Sequence, residues 1–184
     1  MVMHPVLILW SNPGAGKSYF ARWLVQHKDF DHIDTDQLGN RPRSPLEEAW
    51  WKTINGYAPI QTFLDVAERH GRPIVTEYGV WGTADTVGRL KELQRLGAMV
   101  WWFDADRDSA LEAWRAENIR LSRPFEDGLW ASVVASIDKH WALLSPAFGS
   151  RIVRTLDAGA VKKRPDEIYE SIFGGGELGS KPTP

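Results

Sequence analysis

Apolar positions along this chain fall into short unbroken runs separated by longer stretches with helical spacing. The runs are Val6–Trp10, His32–Asp34, Pro73–Glu77, Ala98–Phe103 and Arg151–Thr155. Between them, apolar residues recur every three or four positions over Lys17–His27, Pro59–His70, Asp85–Leu96, Asp108–Leu121 and Leu129–Leu144. A last helix is predicted from Pro165, a favoured first-turn residue, to the position before Gly174. Strands alternating with helices predict a parallel sheet with helices on both faces, and strands buried on both faces read as continuous apolar runs. The expected class is α/β, with three αβα layers around a five-stranded parallel sheet.

Two segments break the pattern. Gly39–Tyr57 carries Pro42, Pro45 and the pair Trp50-Trp51 and reads as an irregular insertion able to cover a substrate. The tail 174–184, GGGELGSKPTP, has little to bury and is expected to be disordered. Residues 1–173 are expected to form a single domain, a size that buries a proper core without staples. The chain has no cysteine, which excludes disulfides and thiolate-held zinc and fits a reducing compartment. Val6–Trp10 is too short for a signal-peptide core, and no apolar stretch approaches a membrane span, so a cytoplasmic location is expected. A formal net charge of -2 gives no global electrostatic case for nucleic acid, although a short contact stays open. The ten tryptophans are read first as packing residues.

The chemistry starts where Val6–Trp10 runs into Ser11-Asn-Pro-Gly-Ala-Gly-Lys-Ser18 and a helix pattern follows. G-x4-G-K-[ST] between a strand and a helix is the phosphate-binding P-loop. Gly14 and Gly16 let the backbone curl so that N–H groups point at phosphate oxygens. Lys17 is placed to reach the β/γ-phosphates and Ser18 to bind Mg²⁺. Ser11 stands where the first glycine is usual and is expected to sit there with modest strain. The expected nucleotide contacts are Asn12, Gly14, Ala15, Gly16, Lys17, Ser18 and Tyr19, and ATP with Mg²⁺ is the expected cofactor pair. The guanine-reading Asn-Lys-x-Asp of GTPases is absent.

After the second strand comes Asp34-Thr-Asp36. Ligands of open α/β sheets bind beyond the carboxyl ends of the strands, which puts both carboxylates near the γ-phosphate. Asp36 is assigned as the base that takes or orients the acceptor's hydroxyl proton, and Asp34 as the metal-side partner. Asp104-Ala-Asp106 ends the fourth strand. Arg115, Arg120 and Arg123-Pro124 follow, with guanidinium forks suited to phosphate oxygens and to transition-state charge.

These pieces resemble the P-loop kinases of the nucleoside-monophosphate-kinase type, in the shikimate, gluconate and polynucleotide kinase branch. The resemblance rests on Ser11–Ser18, Asp34-Thr-Asp36, the strand Pro73–Glu77 and Arg120-Leu-Ser-Arg123-Pro124. It implies a sheet order of 2-3-1-4-5, with Glu77 beside the metal, and a helical lid over about 115–128 whose Arg123 meets the γ-phosphate. It also implies that the loop Leu156-Asp157-Ala-Gly159 cradles adenine. Glu77-Tyr-Gly-Val stands where shikimate kinases carry a Gly-Gly-Gly segment, which argues against shikimate itself.

The acceptor is less legible. Asp36, Arg41, Arg43, Trp51, Tyr78 and Trp81 are expected to line its pocket, with Trp50 and Tyr57 nearby. Aromatics with arginines suit a base and its phosphate, so a hydroxyl in a nucleotide or nucleic acid fits this lining. A hydroxymethylated pyrimidine in DNA is one such acceptor. A small polyol or sugar acid held by Arg41 or Arg43 is the runner-up. A nucleotide-binding or ATPase module with no acceptor is the alternative from a different class.

Overall fold

The computed structural model describes residues 4–39, 41–78, 84–124, 127–159 and 161–174. In chain order the elements are β1 (Val6–Trp10), α1 (Lys17–His27), β2 (Asp31–Ile33), a 3₁₀ turn (Thr35–Gln37), α2 (Pro45–Ile54), α3 (Ile60–His70) and β3 (Ile74–Tyr78). They continue as α4 (Ala84–Arg95), β4 (Met99–Ala105), α5 (Arg107–Arg120), α6 (Asp127–Phe148), β5 (Ile152–Leu156) and α7 (Pro165–Phe173). The sheet is parallel throughout, in the order β2-β3-β1-β4-β5. Fold class and strand order are those expected.

Side chains alternate across the sheet and divide its core in two. Ile8 and Trp10 of β1 join Ile33, Ile74 and Tyr78 under α2, α3, α4 and α6. Leu7 and Leu9 join Val75 and Phe103 under α1 and α7, with Ala110 of α5. The continuous apolar character of β1 follows, because both of its faces are covered.

Within the segment 39–57, Pro45–Ile54 is not irregular. It forms α2 because Ser44 and Glu47 make a capping box. The Glu47 amide donates to Ser44 Oγ at 3.3 Å, and the Ser44 amide donates to Glu47 Oε2 at 2.8 Å. Pro45 occupies the first turn, where its missing N–H costs nothing. Leu46, Ala49, Trp50 and Thr53 then turn inward. The second strand ends one residue early. Asp34 leaves it to cap the 3₁₀ turn, accepting from the Asp36 amide at 3.1 Å. The helix expected over 129–144 is longer and runs on through Pro146. The predicted disordered tail lies outside the described residues from 175 onward, as do Trp81 and, within the expected lid, residues 125 and 126. Among the described residues no helix is long and apolar enough to cross a membrane.

Candidate functional site

Strand register assembles the site. β1 pairs with β3 so that Leu9 stands opposite Glu77 and Trp10 opposite Tyr78. Glu77 has the parity of Val75, so it faces α1, while Tyr78 faces the opposite core. Ser18 lies in the first turn of α1, and its hydroxyl donates to Glu77 Oε2 at 2.8 Å. Two residues 59 positions apart thus meet because β1 and β3 are neighbours.

The P-loop wraps the start of α1. Gly14 and Gly16 both lie at positive φ, 83° and 87°. A Cβ on Gly14 would fall 1.9 Å from the Ala110 carbonyl oxygen of α5, so that position cannot carry a side chain. A Cβ on Gly16 would meet nothing within 4 Å, which leaves open space over the loop. Gly16 is also the N-cap of α1 and offers no side-chain cap. The first-turn amides therefore keep their donors for a ligand, at the positive end of the helix dipole.

Lys17 Nζ donates to Ser11 Oγ at 2.8 Å and lies 3.4 Å from the Asn12 carbonyl oxygen. Ser11 is buried and donates its own proton to the Asn12 carbonyl at 2.7 Å. Its φ is not among the positive values, so the serine at the first-glycine position is unstrained and braces the lysine. Burial lowers the pKa of Lys17, against the pull of the Glu77 and Asp36 carboxylates. Glu77 is buried, which works to raise its pKa. The hydrogen bond from His32, the charge of Lys17 and the bond from Ser18 outweigh that and hold it below the usual carboxylate range. His32 and Thr35 were not singled out from the sequence. His32 Nε2 bonds Glu77 Oε1 at 2.9 Å, and Thr35 Oγ1 donates to the Glu77 carbonyl. Only the strand register could have flagged them.

Asp34 and Asp36 stand at the end of β2 as expected. Desolvation raises the pKa of Asp34, and the neighbouring carboxylates of Glu77 and Asp36 add to the rise. Asp36 is exposed and lies within electrostatic reach of Lys17. Ser18, Glu77 and Asp34 are hard oxygen donors of the kind Mg²⁺ takes. Among the described residues no three His, Asp or Glu side chains cluster as a ready metal cage.

The residues expected to line the acceptor pocket are largely engaged with their neighbours. Arg41 is paired with Glu47, and Arg43 Nη1 bonds Glu48 at 2.8 Å while its Nε donates to the Leu38 carbonyl at 2.6 Å. The Arg43 guanidinium also lies over the Trp51 ring at 4.4 Å. Tyr78 is buried edge-on between Trp10 at 4.8 Å and Trp50 at 5.8 Å, because its parity turns it into the core. Trp50 is buried too and donates from Nε1 to Thr35 Oγ1 at 3.1 Å. Tyr57 is 77% exposed.

In the expected lid, Arg115, Arg120 and Arg123 are all exposed. Arg120 makes a two-pronged pair with Glu117 at 2.7 and 2.8 Å. Arg123 follows Ser122, which has a left-handed φ of 52°, and its amide donates to the Asn118 carbonyl at 2.9 Å. On the other flank, a cleft of about 20 Å³ is lined by Gly14–Gly16, Tyr19, Thr155, Leu156, Lys162, Lys163 and Ile168. Asp157 is exposed and accepts from Arg154 Nε at 3.1 Å.

No protein-family model matches the chain, and no curated protein sequence matches it significantly. Solved structures do. A tunicamycin resistance protein from Deinococcus radiodurans aligns with a TM-score of 0.56 at 17% identity, covering 92% of this chain and 93% of that one. A shikimate kinase from Acinetobacter baumannii, in complex with shikimate, aligns at 0.51 and 16% identity over 95% and 96%. A gluconokinase from Sinorhizobium meliloti 1021 aligns at 0.50 and 15% over 95% and 93%. The chain shares its fold with these structures, a shikimate kinase and a gluconokinase among them.

Proposed function

We propose that this chain is an ATP-dependent phosphotransferase that moves the γ-phosphoryl group to an alcohol hydroxyl. The observation that carries the reading is one constellation: Lys17 and Ser18 of a P-loop, Glu77 at hydrogen-bond distance from Ser18, and Asp34 and Asp36 at the next strand end.

The amides of the first turn of α1 and the Lys17 ammonium hold the β- and γ-phosphate oxygens. Ser18, Glu77 and Asp34 hold Mg²⁺, which when bound neutralises charge on the phosphate oxygens. Asp36, exposed beyond the end of β2, orients the acceptor hydroxyl and takes its proton. The acceptor oxygen bonds to the γ-phosphorus as the bond to the β,γ-bridging oxygen breaks, and ADP leaves. Arg123, with Arg115 and Arg120 on the same lid, meets the charge spread over the transferring oxygens. The purine lies toward the cleft by Tyr19 and Leu156, with Asp157 in the loop beyond.

The acceptor is a nucleotide or nucleic-acid hydroxyl. Arg43 stacked on Trp51, with Tyr57 exposed nearby in the chain, makes a flat surface suited to stacking a base. The second reading, a sugar-acid or polyol kinase, is favoured by the gluconokinase and the shikimate kinase among the structural neighbours. The test is γ-labelled ATP offered with nucleosides, oligonucleotides with normal and hydroxymethylated bases, and sugar acids. Label on a nucleotide or oligonucleotide supports the first reading, and label on a sugar acid supports the second. Phosphate release alone, with every acceptor unlabelled, leaves a nucleotide-hydrolysing module and ends the kinase reading.

A further inference from the structure

Glu77 is the buried acid at the heart of this site, and an acid with two oxygens and a free torsion does not aim itself. The register of β2 against β3 places His32 opposite Val75. Paired residues on adjacent strands share a face, so His32 lies on the α1 side, diagonal to Glu77. Diagonal neighbours on adjacent strands lie within reach of a long side chain. The ring closes it, with Nε2 at 2.9 Å from Glu77 Oε1. Because the other atom is a carboxylate oxygen, Nε2 must carry the proton. Oε2 is thereby left to Ser18, whose hydroxyl donates to it at 2.8 Å.

We infer that His32 is a positioning residue for the metal site: its hydrogen bond to Oε1 fixes the Glu77 carboxylate so that Oε2 faces Ser18. The inference rests on the phosphotransferase reading and names a determinant that reading does not contain. His32 touches neither Lys17 nor the loop amides in the contacts described above; its hydrogen bond runs to Glu77, and it reaches Asp34 only through space. Thr35 completes the seat by donating to the Glu77 backbone carbonyl, so backbone and side chain of this residue are held from two points on one segment. The position is at the sheet edge, where a histidine has no packing task that a leucine would not fill; its side chain is 14% exposed. Loss of a partner that orients a metal-binding carboxylate typically costs 10–100-fold in metal affinity.

The experiment measures nucleotide binding by tryptophan fluorescence, with Mg²⁺ titrated at fixed ATP and a second series in chelator. His32→Phe keeps the ring volume without the donor, and His32→Gln keeps an N–H donor. The expected result for His32→Phe is a half-saturating Mg²⁺ concentration raised about tenfold or more, with metal-free ATP binding unchanged. His32→Gln should recover much of the loss. In a Glu77→Ala background, which removes the carboxylate that His32 holds, His32→Phe should add little further. An unchanged Mg²⁺ titration in both variants overturns the inference. Equal loss of metal-free binding also overturns it, because that is the mark of a general structural fault. If the wild-type chain binds ATP with no dependence on Mg²⁺, the phosphotransferase reading falls and this inference falls with it; if only the variants match wild type, the inference alone falls.

Discussion

Lys17 and Arg43 are both cations near one site, and their surroundings differ. Lys17 is held by neutral groups, the Ser11 hydroxyl and the Asn12 carbonyl, and feels Glu77 and Asp36 only through space. Arg43 is consumed by an ion pair with Glu48, and Arg41 likewise by Glu47. The lysine of the proposed nucleotide wall therefore displays its charge, while the arginines of the proposed acceptor wall are neutralised by their neighbours. On the proposed reading, anion recognition falls to the loop and the acceptor wall offers shape and aromatic surface. A sugar-acid carboxylate would have to displace Glu47 or Glu48 from an arginine there.

The largest expected effect breaks the nucleotide wall. Lys17→Ala should abolish phosphoryl transfer by orders of magnitude with the fold retained, because preorganised charge dominates such reactions. Turnover and a thermal melt check it together. Near-wild-type turnover in a folded variant would show that the displayed charge is idle.

The next effect separates the two carboxylates at the end of β2. Asp36→Asn should lose acceptor phosphorylation by about 10²–10⁴-fold while still binding ATP, as for loss of a general base. Asp34→Asn should instead raise the Mg²⁺ requirement. Titrating Mg²⁺ at saturating ATP and acceptor distinguishes them. Rescue of Asp36→Asn, but not Asp34→Asn, by excess Mg²⁺ reverses the roles.

The comparison also explains what could be read from the sequence. The P-loop is local: eight consecutive residues between a strand and a helix specify it, so Ser11–Ser18 was legible. Strand order came with the fold, and it delivered Glu77 to Ser18 across 59 positions. The acceptor wall is not local. Pro42, Pro45 and the tryptophan pair suggested irregular chain, although Ser44-Pro45-Leu46-Glu47 is a helix-start signal in plain view. Nothing in the sequence shows that Arg41 meets Glu47 or that Tyr78 turns inward. Those outcomes depend on α2 existing and on the parity of β3. Ser11 was read as a tolerated oddity, but its brace on Lys17 needs the loop's curl to be seen.

A smaller effect sharpens the acceptor wall. Ser44→Ala removes one half of the box that makes α2 a helix. Such caps are worth about 0.5–2 kcal/mol, so the melting temperature should fall by a few degrees. If α2 orders the acceptor wall, the KM for the acceptor should rise while ATP affinity holds. A melt unchanged from wild type would mean that packing of Leu46 and Trp50 alone fixes the helix.

The smallest expected effect tests whether the site is held at a cost to stability. The Asp34 carboxyl is raised by desolvation and by the nearby Glu77 and Asp36 carboxylates, against the opposing pull of His32 and the Asp36 amide. A raised folded pKa means that its ionised form is disfavoured in the native state relative to the unfolded chain. The carboxyl favours folding fully only below its ordinary value, and that advantage is lost as pH rises through the raised folded value. Asparagine cannot ionise, yet its Oδ1 can still accept from the Asp36 amide and keep the 3₁₀ turn capped. In chelator, Asp34→Asn should therefore melt higher than wild type at neutral pH, with the two curves converging as pH falls below the ordinary aspartate range. A variant that melts lower at neutral pH would show that the carboxylate's bonds outweigh its desolvation. A gain that persists unchanged into acid would trace the effect to something other than ionisation. The expected convergence, together with a raised Mg²⁺ requirement in the same variant, would identify Asp34 as a carboxylate kept for chemistry against the preference of the fold.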